Sequence, residues 1–316
     1  MLRTKRAGLL PNKMANPKAH TPNLFEGLSR DAALRQLSAC FEAAELASAA
    51  LDARILVRTA CGCDEVELIT KGEIILSAQE ARCLADMMAQ RLARKPVSRI
   101  INYREFYGLP FRLSSATLDP RPDSEILVSV MIDKYRQASA QLKQPKVLDL
   151  GTGSGCLLLA FLHEVEQAEG LGVDQSRGAI RQACINASCL NLRERASFRQ
   201  SNWFAAVRGT FDFIMANPPY IARHEESQLA PEVRLYDPTH ALFADEDGLS
   251  EYRHIIERMR PYCAPHGWVG FEIGQGQGGE VVSMLRENDW QGIEIHKDLA
   301  GIERVIVAQN THIKKH

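Results

Sequence analysis

Apolar positions change their period twice along the chain. From Asp31 to Arg94 they recur every three or four residues: Leu34, Leu37, Cys40 and Phe41, then Leu51, Ile55 and Leu56, then Leu84, Met87, Met88 and Leu92. That spacing predicts amphipathic helices, with Gly62 and Gly72 as punctuation. A small helical bundle over residues 25–98 follows. Between Arg99 and Leu118 the pattern shortens: Tyr103, Phe106, Tyr107, Leu109, Phe111 and Leu113 surround Gly108 and Pro110, which predicts a hairpin linker over 99–122. The stiff run Asp119-Pro120-Arg121-Pro122-Asp123 then leads into a helix from Ser124 to about Gln137, with Asp123 or Ser124 as its cap.

From Lys146 onward short apolar runs alternate with helical stretches, the mark of a doubly wound α/β sheet. Strands are expected at about 147–150, 171–174, 196–199, 211–216 and 268–273, with closing strands at 293–296 and 305–308. Helices are expected from 156, over 177–190 and over 279–287. The α/β domain thus spans 123–316.

Composition narrows the class without choosing within it. Of the 316 residues, 45% are hydrophobic and 24% charged, the balance of an ordinary globular protein. A formal charge of −1 gives no global attraction to nucleic acid. No apolar run approaches the ~18 residues of a membrane span, so a cytoplasmic protein is expected. The eight cysteines form no CxxC pair and read as reduced and structural, most of them in apolar helical settings, with no metal or redox use. Residues 1–24 carry Arg3, Lys5, Arg6, Lys13 and Lys18 with no acidic residue and no serine, and are expected to form a disordered basic tail, with Met14 as an alternative start.

Candidate chemistry gathers at three strand ends. Gly151-Thr152-Gly153-Ser154-Gly155 follows the first strand of the sheet, where glycines permit a sharp turn and close approach of a ligand to the backbone. Asp174 ends the next strand, 23 residues after Gly151, near the spacing at which a carboxylate accepts from ribose hydroxyls. An adenosine-containing cofactor is implied. The spacing departs from the G-x-G-x-x-G of dinucleotide sites, and Asp149 ahead of the loop suits an α-amino group better than a diphosphate. S-adenosylmethionine is therefore favoured over NAD. The strand over 211–216 ends in Asn217-Pro218-Pro219-Tyr220, read either as a proline turn or as a site. As a site, the Asn217 oxygen and the Pro218 carbonyl accept from one planar NH2 group whose nitrogen is methylated. Arg121 and Glu125 are minor candidates for the same pocket.

These motifs, with the run 96–126, Ser201-Asn202-Trp203-Phe204, Asp247-Gly248-Leu249, Phe271-Glu272-Ile273-Gly274 and Asp298-Leu299-Ala300-Gly301, closely resemble the HemK/PrmC family from about residue 30 onward. That family comprises protein-(glutamine-N5) methyltransferases acting on the Gly-Gly-Gln loop of peptide chain release factors. The resemblance implies a Rossmann-like class I methyltransferase domain behind a helical domain, S-adenosyl-L-methionine as cofactor and a release factor as protein partner, with no nucleic acid or membrane. It implies that Gly151, Thr152, Gly153, Ser154 and Gly155 hold the methionine part, Asp174 the ribose and Trp203 the adenine. Asn217 is implied to meet cofactor and glutamine amide, Pro218 to accept from the amide, and Pro219 and Tyr220 to shape the substrate slot. Two positions depart from the family: Asn202 stands where Asp is usual, and Phe243-Ala244-Asp245-Glu246 replaces a glycine-rich stretch. The rival readings are methylation of a ribosomal-protein glutamine, adenine-N6 methylation of nucleic acid, and cofactor binding without catalysis.

Overall fold

The computed structural model describes residues 24–138, 142–245 and 247–311. Nearly all of the basic tail lies outside these residues, as does Glu246. The chain divides into two compact units, Met1–Ala89 and Gln90–His316. The division falls within the helix Ala78–Leu92.

The first unit is helical: α1 (Arg30–Ala43), α2 (Ala49–Cys61), α3 (Glu65–Thr70) and the start of α4 (Ala78–Leu92). Its ends are set by local chemistry. Ser29 accepts from the Ala32 amide at the start of α1, and Asp64 accepts from the Glu67 amide at 2.8 Å at the start of α3. Ser77 and Glu80 satisfy each other's backbone amides in a capping box. Gly62 closes α2 in the left-handed conformation, φ +58°. Leu37, Phe41, Leu56 and Leu84 are buried, as the three-to-four spacing predicts, whereas Leu51 and Leu92 of the same stripes stand exposed and the smaller Ala53 is buried instead.

The second unit continues with α5 (Val97–Ile101) and the hairpin β1 (Tyr103–Phe106) and β2 (Leu109–Arg112). Its two-residue turn, Tyr107-Gly108, has positive φ at both positions, as a tight antiparallel turn with the right twist requires. Then come α6 (Ser124–Ala138), β3 (Lys146–Leu150), α7 (Cys156–Glu164), β4 (Glu169–Asp174), α8 (Arg177–Cys189), β5 (Ala196–Gln200) and β6 (Phe211–Ala216). The chain closes with α9 (Pro231–Tyr236), α10 (Thr239–Leu242), α11 (Ser250–Met259), β7 (Cys263–Glu272), α12 (Gly278–Glu287), β8 (Gln291–Lys297) and β9 (Glu303–Gln309).

Seven strands form one sheet in the order β5-β4-β3-β6-β7-β9-β8. The first five run parallel, and β9 is antiparallel to both β7 and β8. Successive residues of β6 serve opposite faces: Phe213 and Met215 enter a core with α6, α7 and the hairpin's Phe106 and Phe111, while Ile214 and Ala216 enter one with α11 and α12. Both faces are covered, which is why β3 and β6 read as unbroken apolar runs.

Four features differ from the sequence expectation. The side chains expected to cap α6 are engaged across the fold: Ser124 donates its hydroxyl to Glu272, and Asp123 pairs with Arg304 at 3.3 Å. Strand β7 begins at Cys263 rather than near 268, its early part irregular against β6 and masked in sequence by Pro265 and Gly267. Between Arg223 and Leu242 lie three turns of helix too short for period to register. The helix α11 also lies outside the sequence expectation, although its buried Tyr252, Ile255, Ile256 and Met259 fall at helical spacing.

Phe213 is fully buried, with ring centroids 5.4 Å from Phe161 and 6.4 Å from Tyr135. Phe213→Ala is expected to lower the unfolding free energy by about 3–5 kcal/mol, measured by urea denaturation of the full chain.

Candidate active site

The site follows from the register of two parallel neighbours. Leu150 of β3 lies opposite Ala216 of β6 and Val173 of β4. The next residues on the three strands are Gly151, Asn217 and Asp174. This is the point where connections depart to opposite sides of the sheet, and the crevice beyond the strands' carboxyl ends is where such folds bind ligands.

The loop after β3 is fixed from below. The amides of Gly151 and Thr152 both donate to the Val173 carbonyl at 2.9 Å, and the Gly155 amide donates to the Thr152 carbonyl at 2.7 Å. Gly151, Gly153 and Gly155 have φ of +71°, +54° and +82°, which L side chains adopt only with strain. Asp149 is completely buried, accepting from the Thr152 hydroxyl at 2.6 Å, and burial raises its pKa to about 7. The expected contact between Asp149 and an α-amino group is therefore corrected: the carboxylate braces the loop from beneath and does not line the cleft, because β3 points it into the packed interior.

The cleft has a volume of about 410 Å³, within the usual range for a small-molecule site. Gly151, Thr152, Gly153, Ser154, Asp174, Trp203, Asn217 and Pro219 line it. Gly155 begins the helix behind the loop, where a Cβ would stand 3.1 Å from Leu159 and 3.2 Å from Ala183. Pro218 is buried and Tyr220 half-buried, and neither reaches the cleft wall. Of the two minor candidates, Arg121 lines the cleft, while Glu125 is turned away to accept from the Tyr107 amide at 2.9 Å.

Asp174 accepts from the Gly153 amide at 3.0 Å on one oxygen and from the Ser176 amide at 2.8 Å on the other. Burial raises its pKa, yet each oxygen keeps a lone pair for a further donor. Trp203 adopts φ +44°, held by the Ser201 hydroxyl donating to its carbonyl at 2.7 Å. Its indole N–H donates to Glu251 of α11 at 2.8 Å, so the ring plane is fixed over Gly151. A Cβ at Gly151 would meet that ring at 3.6 Å and fill the space beneath it. Asn202 is exposed at the rim.

Asn217 is held from behind. Its Nδ2 donates to Ser124 Oγ at 3.3 Å, and the Ser124 hydroxyl donates to the fully buried Glu272. Burial raises the Glu272 pKa to about 7, against the hydrogen bonds of Ser124 and Asn217, which favour the charged form. Beyond the prolines, Gln277 donates to the Tyr220 carbonyl at 3.0 Å and accepts from the Gly274 amide at 3.0 Å. Gly248, at φ +70°, lets the backbone pass: a Cβ there would lie 2.5 Å from the Tyr220 carbonyl. The stretch from Phe243 departs from the glycine-rich family pattern but is well placed, pairing with Ile221 through the Ala244 amide at 3.0 Å. Burial, then the neighbouring Glu272, pushes the Tyr220 phenol well up, so it stays neutral.

Sequence reasoning missed Glu251, Ser124 and Glu272 as site residues. Glu272 carried a signal, since an acid inside the apolar run 268–273 must find buried donors.

The donor set fits S-adenosylmethionine: loop amides at the start of α7, a carboxylate with spare lone pairs, an indole face and one amide oxygen. With its mostly parallel seven-stranded sheet, this site defines a class I S-adenosylmethionine-dependent methyltransferase, and the comparisons agree. Residues 106–238 match the methyltransferase small domain and residues 32–101 the PrmC N-terminal domain. The release factor glutamine methyltransferase of Bradyrhizobium diazoefficiens is 42% identical over 93% of this chain and 98% of its own length. That of Rhodospirillum rubrum is 40% identical over 82% and 78%, and that of Agrobacterium fabrum 37% over 84% and 92%. The chain belongs to the release factor glutamine methyltransferase family. Among solved structures, the hMettl16 catalytic domain in complex with a 3′UTR hairpin aligns with TM-score 0.54 at 15% identity, over 66% of this chain and 77% of that one, a likeness of fold alone. No described helix is long and apolar enough to cross a membrane.

The raised pKa of Glu272 makes stability depend on pH. A carboxyl whose pKa is about 7 when folded and about 4.5 when unfolded stabilises the fold below pH 4.5, and that contribution is lost as pH rises to 7. The thermal midpoint should therefore fall between pH 5 and 8, and fall less in Glu272→Gln, as read by calorimetry.

Proposed function

We propose that this chain transfers the methyl group of S-adenosylmethionine to the side-chain nitrogen, N5, of the glutamine in the Gly-Gly-Gln motif of peptide chain release factors. The observation that carries the reading is the Asn217 amide, fixed at the mouth of the cofactor cleft with its NH2 spent on Ser124. Its oxygen is left to accept a hydrogen from a planar NH2 donor. Pro218 has no N–H, and the main-chain carbonyls about Pro218-Pro219 offer a second acceptor to the same group.

The bound cofactor supplies an electrophilic methyl group. The protein's residues supply position: a primary amide nitrogen is a weak nucleophile because its lone pair is delocalised, and holding both its hydrogens aligns that lone pair with the methyl carbon. The nitrogen forms its bond to that carbon as the carbon–sulfur bond breaks, and it sheds one proton to water. No strong base is needed, since the proton leaves a cationic nitrogen. We assign Gly151, Thr152, Gly153, Ser154 and Gly155 to the methionine part, Asp174 to the ribose, Trp203 to the adenine, and Pro219 and Tyr220 to the walls of the glutamine slot. The relatives named above, all called release factor glutamine methyltransferases, support this choice of substrate.

Methyl transfer from labelled S-adenosylmethionine tests the reading with three acceptors: a release factor, the same factor with its motif glutamine changed to alanine, and an adenine-containing DNA duplex. Label on the intact factor alone is expected. Label on the altered factor or on DNA would overturn the assignment. Asn217→Ala should lower kcat on the intact factor by ~10²-fold or more, the scale of losing one preorganised polar partner.

A further inference from the structure

Behind Asn217 lies a polar chain that amide chemistry does not by itself require. Glu272 ends β7, Ser124 opens α6 and Asn217 follows β6, so three separate elements converge on one buried spot. Glu272 and Ser124 are 2% and 3% exposed, so each depends on the side chains packed against it for its hydrogen bonds. Their hydrogen-bonding capacities leave one arrangement. An ionised carboxylate has only acceptors, and the single proton of Ser124 is given to it. What Ser124 and Glu272 together offer Asn217 is therefore acceptors alone, and Asn217 answers with its Nδ2, at 3.3 Å from Ser124 Oγ and also within the carboxylate's influence. An Asn217 turned the other way would set its oxygen against two acceptors in a dry site, at a cost of about 1–3 kcal/mol.

We propose that Glu272, through Ser124, is the positioning residue that fixes the orientation of the Asn217 amide, holding its oxygen toward the cleft so that it accepts a hydrogen from the substrate's NH2. The proposal rests on the reading that the acceptor is a side-chain amide. A flipped Asn217 would present NH2 to NH2, and no productive clamp would form. Glu272 also places a negative charge behind the clamp as the attacked nitrogen turns cationic, in a site too dry to screen it.

The neighbours of Glu272 from each packed element are Asp123 ahead of α6, Arg304 of β9, Tyr220 after β6, Tyr252 of α11, and Cys156 after the glycine loop. Arg304 is itself paired with Asp123 and Asp298, and Tyr252 gives its hydroxyl to the Glu272 carbonyl at 2.8 Å, leaving Ser124 and Asn217 as the side chains that hold the carboxylate.

The decisive variant is Glu272→Gln, which keeps shape but whose NH2 can donate to Ser124 Oγ, turning the Ser124 proton toward Asn217 and favouring the flipped orientation, and which removes the charge behind the clamp. Release-factor methylation should show kcat lowered ten-fold or more with KM for the factor near that of the wild type. S-adenosylhomocysteine affinity by calorimetry should be unchanged. In wild type, kcat/KM should fall on the acid side with a midpoint near 7, and this limb should vanish in the variant. In the Asn217→Ala background, Glu272→Gln should cost nothing further. Ser124→Ala, a small change at a helix start, should reproduce the kcat loss where Glu272→Gln folds poorly. Wild-type kcat in both variants, or an undiminished cost of Glu272→Gln when Asn217 is already alanine, would overturn the proposal. Wild-type enzyme in every assay keeps the two ideas apart: a wild type that labels no glutamine refutes the substrate reading, whereas an active wild type matched by its variants refutes the role of Glu272.

Discussion

The parallel pairing of β3 with β6 is the constraint on which the site depends. Because Leu150 and Ala216 stand opposite each other, the glycine loop and Asn217 emerge side by side at the sheet's carboxyl edge. A slip of one residue would turn every side chain of β6 to the other face and exchange the two cores it serves. The many apolar contacts of Phe213, Ile214 and Met215 thus fix the position of one amide. Hydrophobic packing here sets catalytic geometry as directly as any hydrogen bond.

Around that edge the fold places polar groups where each has one available answer. Asp149 braces the loop through Thr152, Asp174 is set by the Gly153 and Ser176 amides, and Trp203 is oriented by Glu251. Glu272 and Ser124 do the same for Asn217. In a dry interior an unanswered donor or acceptor costs more than a satisfied one gains, so such chains specify orientation more strongly than they add stability. Burial raises the pKa of two of these carboxyls, Asp149 and Glu272, to about 7, against the hydrogen bonds that hold them.

A second buried charge cluster shows the same logic applied to chain placement. Asp237, 2% exposed at its side chain, receives both Arg99 and Arg121, while Arg99 also donates to the carbonyls of Ser114 and Thr117. The planar guanidinium, with five donors, satisfies several loop carbonyls at once. This ties the segment after α9 to the proline-rich turn before α6, so that Arg121 stands at the cleft wall without free rotation. Removing either arginine would leave the buried Asp237 charge less fully paired.

The sequence by itself determined the helical first unit, the hairpin, the doubly wound α/β class of the sheet and the strand-end positions of the two motifs. Each rests on local chemistry: period, turn residues, glycine's access to positive φ, and proline's missing N–H. Residues such as Asp174 and Asn217 were legible because they sit at strand ends, where position in sequence translates directly into position in space. Only the tertiary structure decided what lies behind them. Ser124 looked like a helix cap and proved to be a link to Glu272, 148 residues away. Asp149 looked like a ligand and proved to be a brace. The short helices after Tyr220 gave no periodic signal, and Glu251 gave none of its tie to Trp203. A buried donor or acceptor takes whichever partner the packing delivers, and that choice is made by elements distant in the chain, where no spacing rule reaches.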